Sequence, residues 1–418
     1  MVSGRAEIDV TIIMPCLNEA ISLPACIANA RAALALMYQR FGLAGEIVIA
    51  DNGSTDGSQA IATALGARCV AVPRRGYGAA LIGGATVAHG RYLVMGDADG
   101  SYDFRDAVPM VGRLMQGADL CMGNRFQGGI APGAMPWKNR YIGNPILTGI
   151  LNILFRSGIG DAHCGIRALT RPCFDSLRLS GDGMEFASEM VIKATLKGAK
   201  IVEVPATLSK DLRDRPPHLR PWRDGWRHLR YLLMLSPAWI FAIPAAVLGI
   251  LAVAILGAST VAALGAKAGV TIFGNYWVVL GGGLLTISHT AALLAAAGHN
   301  YGVREGYRQR SGRSQVLARW VSLETMLIGG IGCLAVGLGL LGYLVSYWSA
   351  NQFQPILNVL PAVLGTSLVV IGAQNVLGGF LLSIIGGNDA DFMKAVPQSA
   401  PALVPVTASE PALARELA

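Results

Sequence analysis

The sequence predicts an α/β domain followed by an all-α membrane domain of four transmembrane helices. Up to about residue 210, strand-like and helix-like stretches alternate, which is the pattern of a mostly parallel sheet with helices on both faces. Three later stretches contain no Asp, Glu, Lys or Arg, namely 231–266, 268–303 and 325–387. With 53% hydrophobic and only 14% charged residues, the chain is also too apolar for an ordinary soluble protein.

The uncharged stretches contain four segments long enough to cross a bilayer, which takes about 20 apolar residues. The third stretch divides at the polar run Ser349–Pro355, SANQFQP. We therefore expect spans near 238–263, 271–297, 325–347 and 357–385. One such segment alone would also suit a buried core helix, but four together favour a membrane domain.

The loops between the spans differ in charge. Five arginines stand with Glu305 between spans two and three, namely Arg304, Arg308, Arg310, Arg313 and Arg319. The first loop carries only Lys267, and the third loop carries no charge. Because Lys and Arg remain on the cytoplasmic side, both termini are expected in the cytoplasm and the spans in the inner (plasma) membrane. The N-terminal residues have no apolar signal segment, so the first 230 residues should fold in the cytoplasm.

Four strands are expected in the first domain, with helices between them. The strands are Val10–Pro15, Glu46–Asp51, Cys69–Pro73 and Arg91–Asp97. The helices are Leu23–Tyr38, Ser58–Leu65 and Tyr77–Ala88. Ligands of such sheets bind at the carboxyl ends of the strands, and the polar motifs of this chain follow those ends.

The fourth strand delivers two carboxylates, Asp97 and Asp99, in the run RYLVMGDADG. Alternate residues of an extended chain point the same way. Two adjacent carboxylates repel each other, so this spacing favours a bound cation, Mg²⁺ or Mn²⁺, that bridges to a phosphate. Asp-Ala-Asp-Gly is also ordinary turn chemistry after a strand.

The earlier strands end in similar polar motifs. The first ends in PCLNE, and the second in DNGSTDGS, where Asp51 is interpreted as a ligand and Asp56 as a helix cap. After the third strand, the glycines of RRGYGAALIGGA allow either a close backbone approach to a ligand or tight helix packing. The chain has no GxxxxGK[ST] motif and no GxGxxG after the first strand, which argues against kinases, ATPases and dehydrogenases.

In order and spacing, VTIIMPCLNE, DNGSTDGS, RRGYG and GDADG resemble the motifs of glycosyltransferase family 2. The chain is most similar to the polyprenyl-phosphate (dolichyl-phosphate) hexosyltransferases, over roughly residues 8–230. That resemblance implies a GT-A fold, a nucleotide-diphosphate sugar donor, and Mg²⁺ or Mn²⁺ on the Asp-x-Asp pair. The nucleotide pocket that it implies comprises Pro15, Asn18, Glu19, Asp51, Gly76, Gly78 and Asp97. Mannosyl members commonly carry Gln where this chain has Ser101, which leaves the third metal ligand open.

Motifs further along the chain resemble those that bind the acceptor in this family. GNRF resembles a Gly-Ser-Arg block whose arginine faces the acceptor phosphate, which gives that role to Arg125. Asp161 begins a D-x-x-x-G-x-R element beside the sugar, and Glu185 follows as a further site residue. Arg140 precedes an apolar helix in 136–155 that is suited to the membrane interface, although a core helix with flanking cations would show the same pattern.

The remaining regions complete the predicted organisation. It consists of a GT-A domain (1–210), a basic and aromatic interfacial segment (211–236), the membrane domain (237–387) and a disordered cytoplasmic tail (388–418). The interfacial segment alternates arginines with Trp222 and Trp226, which suits contact with membrane lipids. Since the net charge of +8 is concentrated near the membrane, nucleic acid is not expected as a partner.

The function expected is inverting transfer of a single hexose from a nucleotide-diphosphate sugar to a polyprenyl phosphate on the cytoplasmic membrane face. UDP-glucose is the favoured donor because of the overall resemblance to dolichyl-phosphate glucose synthases. The sequence contains no Q-x-x-R-W motif, which argues against a polymerising synthase. One alternative is transfer to a lipid hydroxyl. Another is a non-enzymatic transporter or flippase with a sensor domain. The apolar helices also offer a surface for a homo-oligomer.

Overall fold

The structure is a computed structural model that describes residues 8–213, 221–265, 274–306 and 321–386. The described residues form two compact units, one up to Leu232 and the other from Leu233. Several sequence features lie outside the described residues: Lys267, four of the loop arginines (Arg308, Arg310, Arg313 and Arg319), the tail 388–418 and residues 214–220 of the interfacial segment.

The first unit contains one mixed seven-stranded sheet in its described part, with the order β3-β2-β1-β4-β6-β5-β7. The strands are β1 (Val10–Cys16), β2 (Gly45–Asp51), β3 (Arg68–Ala71), β4 (Tyr92–Met95), β5 (Leu120–Asn124), β6 (Arg167–Thr170) and β7 (Ile201–Pro205). The four strands expected from the sequence are present within two residues of their expected ends. They pair in parallel, with Val10 opposite Gly45 of β2 and Tyr92 of β4.

The expectation of a mostly parallel sheet fails in one place, at β6. This strand runs antiparallel to both β4 and β5, whereas β5 and β7 are parallel. The sequence of β6, Arg-Ala-Leu-Thr, is too short and too polar at its ends to reveal a buried strand. Its arginine, Arg167, is nevertheless only 1% exposed.

The described chain up to Met234 also contains helices, some of which pack on the two faces of the sheet. They are α1 (Leu23–Phe41), α2 (Ser58–Ala64), α3 (Tyr77–Val87), α4 (Ala107–Met115), the short α5 (Arg125–Gly128), α6 (Asn144–Phe155), α7 (Arg171–Leu177), α8 (Phe186–Leu196) and α9 (Pro221–Met234). Val10, Ile12 and Met14 of β1 belong to the same core as Ile27 of α1. The intervening Ile13 faces α3, where a Cβ on Gly84 would lie 2.6 Å from it. This alternation is the side-chain period of a strand that is buried on both faces.

The sheet order brings three loops to one edge. Because β2, β1 and β4 are adjacent and parallel, the segments that follow their carboxyl ends lie side by side. These segments are 17–22, 52–58 and 96–101, which contain most of the donor-side motifs.

The second unit consists of apolar helices. They are α10 (Ile243–Gly265), α11 (Asn275–Arg304), α12 (Leu323–Ala350) and α13 (Leu360–Gly386), with a π-helical turn at Ala238–Ala242 before α10. Four segments of the described chain are long and apolar enough to cross a membrane: Ala238–Ala262, Asn275–Arg304, Leu323–Ala350 and Leu360–Gly386. The four expected spans are confirmed.

Glycines bring α12 and α13 into close contact. A Cβ on Gly330 would lie 2.9 Å from the Gly372 carbonyl oxygen, and a Cβ on Gly337 would lie 2.8 Å from the Gly365 carbonyl oxygen. Membrane helices associate through small residues of this kind because lipid provides no hydrophobic force between helices. The pairing therefore depends on the absence of side chains at these positions.

Gly337→Ala is expected to destabilise the membrane unit, since overpacking typically costs about 1–3 kcal/mol. The matched control is Gly339→Ala on the same helix, where an added Cβ meets nothing within 4 Å and alanine favours the helix. Thermal unfolding of the full chain in detergent, followed by the helical circular dichroism signal, should show a lower Tm for Gly337→Ala alone. Equal Tm values for the two variants would contradict the close-contact interpretation.

Candidate active site

Asp99 lies at the centre of a buried polar cluster after β4. Its side chain is buried, and its Oδ1 accepts hydrogen bonds from the Ser101 backbone N–H at 2.9 Å and the Ser101 hydroxyl at 2.5 Å. Its Oδ2 accepts a hydrogen bond from the Arg213 guanidinium. Ser101 therefore orients Asp99 through its hydroxyl. A third metal ligand, if the protein supplies one, would come from another neighbour of the pair.

Asp97 retains one oxygen without a partner. The Asp97 carboxylate takes part in a hydrogen bond with Tyr77, but its Oδ1 is buried and has no hydrogen-bond partner. Desolvation and the neighbouring Asp99 charge raise the pKa of Asp97 to about 6, and the Tyr77 hydrogen bond opposes that rise. A buried oxygen with no donor is costly unless something binds it, so Asp97 presents an open position.

Glu19 is the third carboxylate of the cluster. It is 8% exposed, and its Oε1 lies 3.7 Å from Nη1 of Arg213. Ser22 holds the β1–α1 loop against the β4 loop, because its hydroxyl lies 2.7 Å from the Ala98 carbonyl oxygen and 3.2 Å from Glu19 Oε2. Glu19, which is predicted to bind the nucleotide sugar, thus lies beside the aspartate pair.

The β1 and β2 loops are joined by hydrogen bonds. Asn18 adopts the left-handed conformation with φ 58°, and its Oδ1 accepts from the Thr55 N–H at 2.8 Å. Asp56 accepts from the Ala20 N–H at 2.9 Å and from the Ser58 hydroxyl at 2.6 Å. Asp56 also accepts from the Ser58 N–H at 3.1 Å. It thus bonds the first turn of α2, although the N-cap position itself is occupied by Gly57. Pro15, which is predicted to belong to the nucleotide pocket, lies within β1, opposite Ala50.

Asp51 is more enclosed than a ligand-binding carboxylate is expected to be. It is 1% exposed, and its oxygens accept from the N–H groups of Gly53 and Ser54 and from the Gln59 amide at 2.7 Å. In this structure the side chain closes its own loop, which is the usual role of an Asp that follows a strand.

Gly76 and Gly78 approach protein and not an open ligand pocket. A Cβ on Gly76 would meet the Asp182 carbonyl oxygen, and a Cβ on Gly78 would meet the Gly181 carbonyl oxygen. The Gly78 N–H donates to the Asp182 carbonyl at 2.8 Å. The Ala79 N–H donates to the same carbonyl at 3.2 Å. The two glycines thus pack tightly against 181–182, which is the alternative that the sequence leaves open, and their role in binding the sugar donor stays a prediction.

Arg125 and Asp161 form a buried bidentate ion pair. Nε and Nη2 of Arg125 donate to the two Asp161 oxygens at 2.7 and 2.8 Å, and the Arg125 backbone N–H donates at 3.1 Å. Asp161 is 0% exposed and Arg125 is 7% exposed. Asp161 is therefore positioned to orient the arginine, while Nη1 of Arg125 takes no part in the pair.

Arg140 lies in a different environment. It stands on a π-helical turn, Asn139–Gly143, half-buried and 5.4 Å from the centre of the Tyr141 ring. Large apolar side chains around it are exposed: Trp137, Tyr141, Ile142, Ile146 and Ile153. This region presents an apolar surface with cations at its edge, in agreement with the expected interfacial helix and not with a core helix.

Glu185 and Glu189 differ although they lie one helical turn apart. Glu189 is 0% exposed and accepts from the Ser180 and Gly181 N–H groups and from Lys193 at 2.7 Å. Glu185 accepts from the Gly183 N–H at 3.1 Å, but its Oε2 is buried without a hydrogen-bond partner. Glu189 therefore fixes the 180–181 turn, and Glu185 has an oxygen to offer.

Two family models match the chain. The glycosyl transferase family 2 model matches residues 11–178, and the glycosyltransferase family 2 C-terminal transmembrane region matches residues 296–386. A low-salt glycan biosynthesis hexosyltransferase of Haloferax volcanii is 35% identical over 387 residues, covering 90% of this chain and 89% of the relative. The chain belongs to glycosyltransferase family 2. The expected GT-A fold with membrane helices is thereby confirmed.

Two further relatives match the catalytic unit of this glycosyltransferase. A polyprenol monophosphomannose synthase of Mycolicibacterium smegmatis is 28% identical over 215 residues, covering 48% of this chain and 77% of the relative. A dolichyl-phosphate hexose transferase of Haloferax volcanii is 27% identical over 160 residues, covering 38% of this chain and 68% of the relative.

The glycosyltransferase has the ligand types for a divalent ion, but not a complete protein-only site. Within residues 8–213 and the other described ranges, no three His, Cys, Asp or Glu side chains form a metal-binding group. Mg²⁺ in phosphate sites is typically held by one or two carboxylates, with substrate phosphates and water as the other ligands. Asp97, with its open oxygen, and Asp99 fit that arrangement.

Three residues of the site were not predicted as such from the sequence. The sequence predicts only that Tyr77 begins a helix, yet its phenol reaches Asp97. Asn52 donates to the Val72 and Arg74 carbonyls and accepts from the Gly76 N–H at 2.8 Å, so it holds the turn before α3. Arg213 was assigned to the interfacial segment but lies among the acids. An aromatic residue between two glycines could have signalled Tyr77, whereas the position of Arg213 depends on how the chain returns after β7.

Asp161→Asn is expected to destabilise the catalytic unit strongly, because a buried arginine that loses its carboxylate costs about 3–5 kcal/mol. For a unit of this size the Tm should fall by roughly 10 °C. Burial raises the pKa of Cys164 to about 12, so a thiol-reactive dye will report unfolding of the full chain in detergent. The control, Arg105→Gln, breaks an exposed pair with Asp103 and should leave the Tm unchanged. Equal Tm values for Asp161→Asn and wild type would refute the structural role of the pair.

Proposed function

We propose that this glycosyltransferase transfers one hexose from a nucleotide-diphosphate sugar to a polyprenyl phosphate, with inversion, at the cytoplasmic face of the plasma membrane. The observation that carries the proposal is the Asp97–Asp99 pair with its open oxygen, at the carboxyl ends of parallel strands. The same chain contains four helices long and apolar enough to cross a membrane. Relatives named as a polyprenol monophosphomannose synthase and a dolichyl-phosphate hexose transferase support the choice of acceptor.

On the donor side, Asp97 and Asp99 would hold Mg²⁺ or Mn²⁺. When bound, such an ion neutralises the charge that develops on the leaving diphosphate. The loops that carry Asn18, Glu19 and Asp51 border the same edge of the sheet and would enclose the nucleotide. We favour UDP-glucose as the donor, and the assay below compares it with other sugars.

On the acceptor side, two arginines have different tasks. Arg125 is fixed by Asp161 and retains Nη1 for a phosphate oxygen. Arg140 stands beside the exposed apolar surface of 136–155, where a lipid head group would arrive, and membrane lipids would contact this surface and the 211–236 segment. Positioned cations of this kind bring together two substrates that are both anionic.

A phosphate acceptor suits the acid–base groups that are present. The second pKa of a phosphate monoester is near 6, so its oxygen is already anionic at neutral pH and needs no strong base. A lipid hydroxyl does need one. Asp161 is fully buried and both its oxygens are bonded to Arg125, which disfavours it as that base. Glu185, with its unpartnered oxygen, carries the alternative of a lipid-hydroxyl acceptor.

The arginine-rich loop after span two supports a cytoplasmic orientation of the catalytic unit and both termini. A non-enzymatic transporter or flippase is less well supported, since it assigns no role to the open Asp97 oxygen.

The proposal predicts a lipid product that is labile to mild acid when membranes containing the full chain receive radiolabelled UDP- or GDP-hexose and undecaprenyl or dolichyl phosphate. Asp99→Asn should reduce transfer by about 100-fold or more, because a charge-stabilising group is lost. Asp175→Asn, at an exposed position on α7, is the matched control and should retain full transfer.

If Asp99→Asn retains full, metal-dependent hexose transfer, the assignment of Asp99 to the active site is wrong. The acceptor class is tested separately with Glu185→Gln. Graded loss with polyprenyl phosphate supports the phosphate acceptor, whereas transfer to diacylglycerol or a sphingoid base that Glu185→Gln abolishes supports the hydroxyl acceptor. Absence of any sugar product would leave a transporter as the better explanation.

Arg140→Ala is expected to raise the KM for polyprenyl phosphate about tenfold, which corresponds to one hydrogen bond to a charged group. The KM for the nucleotide sugar should not change, because Arg140 is assigned only to the acceptor. Arg113→Ala, on the exposed side of α4, serves as the control for loss of an arginine. If the lipid KM of Arg140→Ala equals that of the control, Arg140 has no acceptor role.

A further inference from the structure

The Arg213 guanidinium contacts Asp99, which is expected to hold the divalent ion, and Glu19, which is expected to bind the nucleotide. Its Nη2 donates to Asp99 Oδ2, and its Nη1 lies 3.7 Å from Glu19 Oε1. The side chain is only 14% exposed, whereas Asp99 and Glu19 are 9% and 8% exposed at their side chains. Arg213 therefore brings positive charge to the acids from within the protein, and Arg167 adds to it at Asp97.

The backbone before Arg213 is fastened along the same loop. The Ser209 N–H donates to the Ser101 carbonyl and the Leu212 N–H donates to the Asp99 carbonyl, both at 2.8 Å. The Leu212 side chain covers Gly100, where an added Cβ would lie 2.7 Å from Leu212 Cδ1. We call residues 209–213 the strap. Its contacts with 99–101 bring Arg213 to Asp99.

A divalent ion and the strap compete for one oxygen. Mg²⁺ binds carboxylate oxygens at about 2.0–2.1 Å, and an ion at that distance from Asp99 Oδ2 would be repelled by the guanidinium that is bonded to the same oxygen. The other Asp99 oxygen is occupied by Ser101. Of the pair, only Asp97 offers an oxygen without a hydrogen-bond partner in the described residues. While Arg213 stays on Asp99, its charge therefore opposes binding of the ion to the second carboxylate of the pair.

We propose that Arg213 is an internal cation that holds Asp99 and Glu19 in the resting enzyme, and that divalent-metal binding displaces Arg213 together with the strap. This inference rests on the proposed metal role of Asp97 and Asp99. It adds that metal affinity in the absence of donor is limited by the stability of a protein segment, not only by the ligands. An ion pair of this kind also reduces the repulsion between the acids.

The test measures Mn²⁺ binding to the full chain in detergent without donor, by the loss of the free-ion electron paramagnetic resonance signal. Arg213→Gln should bind Mn²⁺ about tenfold more tightly than wild type, a coupling in the usual range. Leu212→Ala keeps every charge and weakens only the cover over Gly100, and it should also tighten binding. Arg91→Gln, whose partner is Asp9 near the amino end of β1, controls for the loss of one positive charge.

The outcomes separate the inference from the function on which it rests. Tighter binding in both strap variants but not in Arg91→Gln supports the displacement of Arg213. Equal Mn²⁺ affinity in wild type, Arg213→Gln and Leu212→Ala overturns it, while the metal site itself stands. No Mn²⁺ binding by any variant, even with UDP present, overturns the proposed metal role and the inference together. Because Leu212 is 49% exposed, its variant is expected to fold even if Arg213→Gln does not.

Discussion

The repulsion between two carboxylates that follow one short strand is the constraint on which the catalytic unit depends. Asp97 and Asp99 are brought together by β4, and the surrounding chain supplies compensation from separate regions: Tyr77 from the start of α3, Ser101 from the same loop, and Arg213 from beyond β7. Each contact ties a different part of the chain to the carboxyl end of β4. The electrostatic cost of the pair is therefore also what organises the edge of the sheet.

Local signals in the sequence were sufficient for the parallel half of the sheet and for the membrane helices. Val10–Cys16 and Gly45–Asp51 are continuous runs with turn residues after them, and each span has a length that only a membrane or a large core requires. The antiparallel β6 was beyond such reasoning. Its four residues carry no period, and its direction is set by pairing with β4 and β5, which are distant in sequence.

The candidate site shows the same division. Aspartates that follow a strand can be recognised in the sequence, and the order of the motifs predicted which acidic residues would lie close together. What the sequence did not reveal was which oxygens remain available. Asp51 and Asp161 use theirs to close a loop and to hold an arginine, while Asp97 and Glu185 each retain one. That distinction depends on donors such as Gln59 and Arg125, whose distance from the acids is decided only by the fold.

The bidentate ion pair between Arg125 and Asp161 has a consequence for selectivity among anionic ligands. A guanidinium locked by two hydrogen bonds and buried to 93% of its surface has already lost its rotamer freedom during folding. If Arg125 receives the acceptor phosphate, as proposed, little further side-chain entropy is lost on binding. A rigid guanidinium also cannot follow a displaced oxygen, so it would distinguish head groups by the position of their charge as well as by its amount.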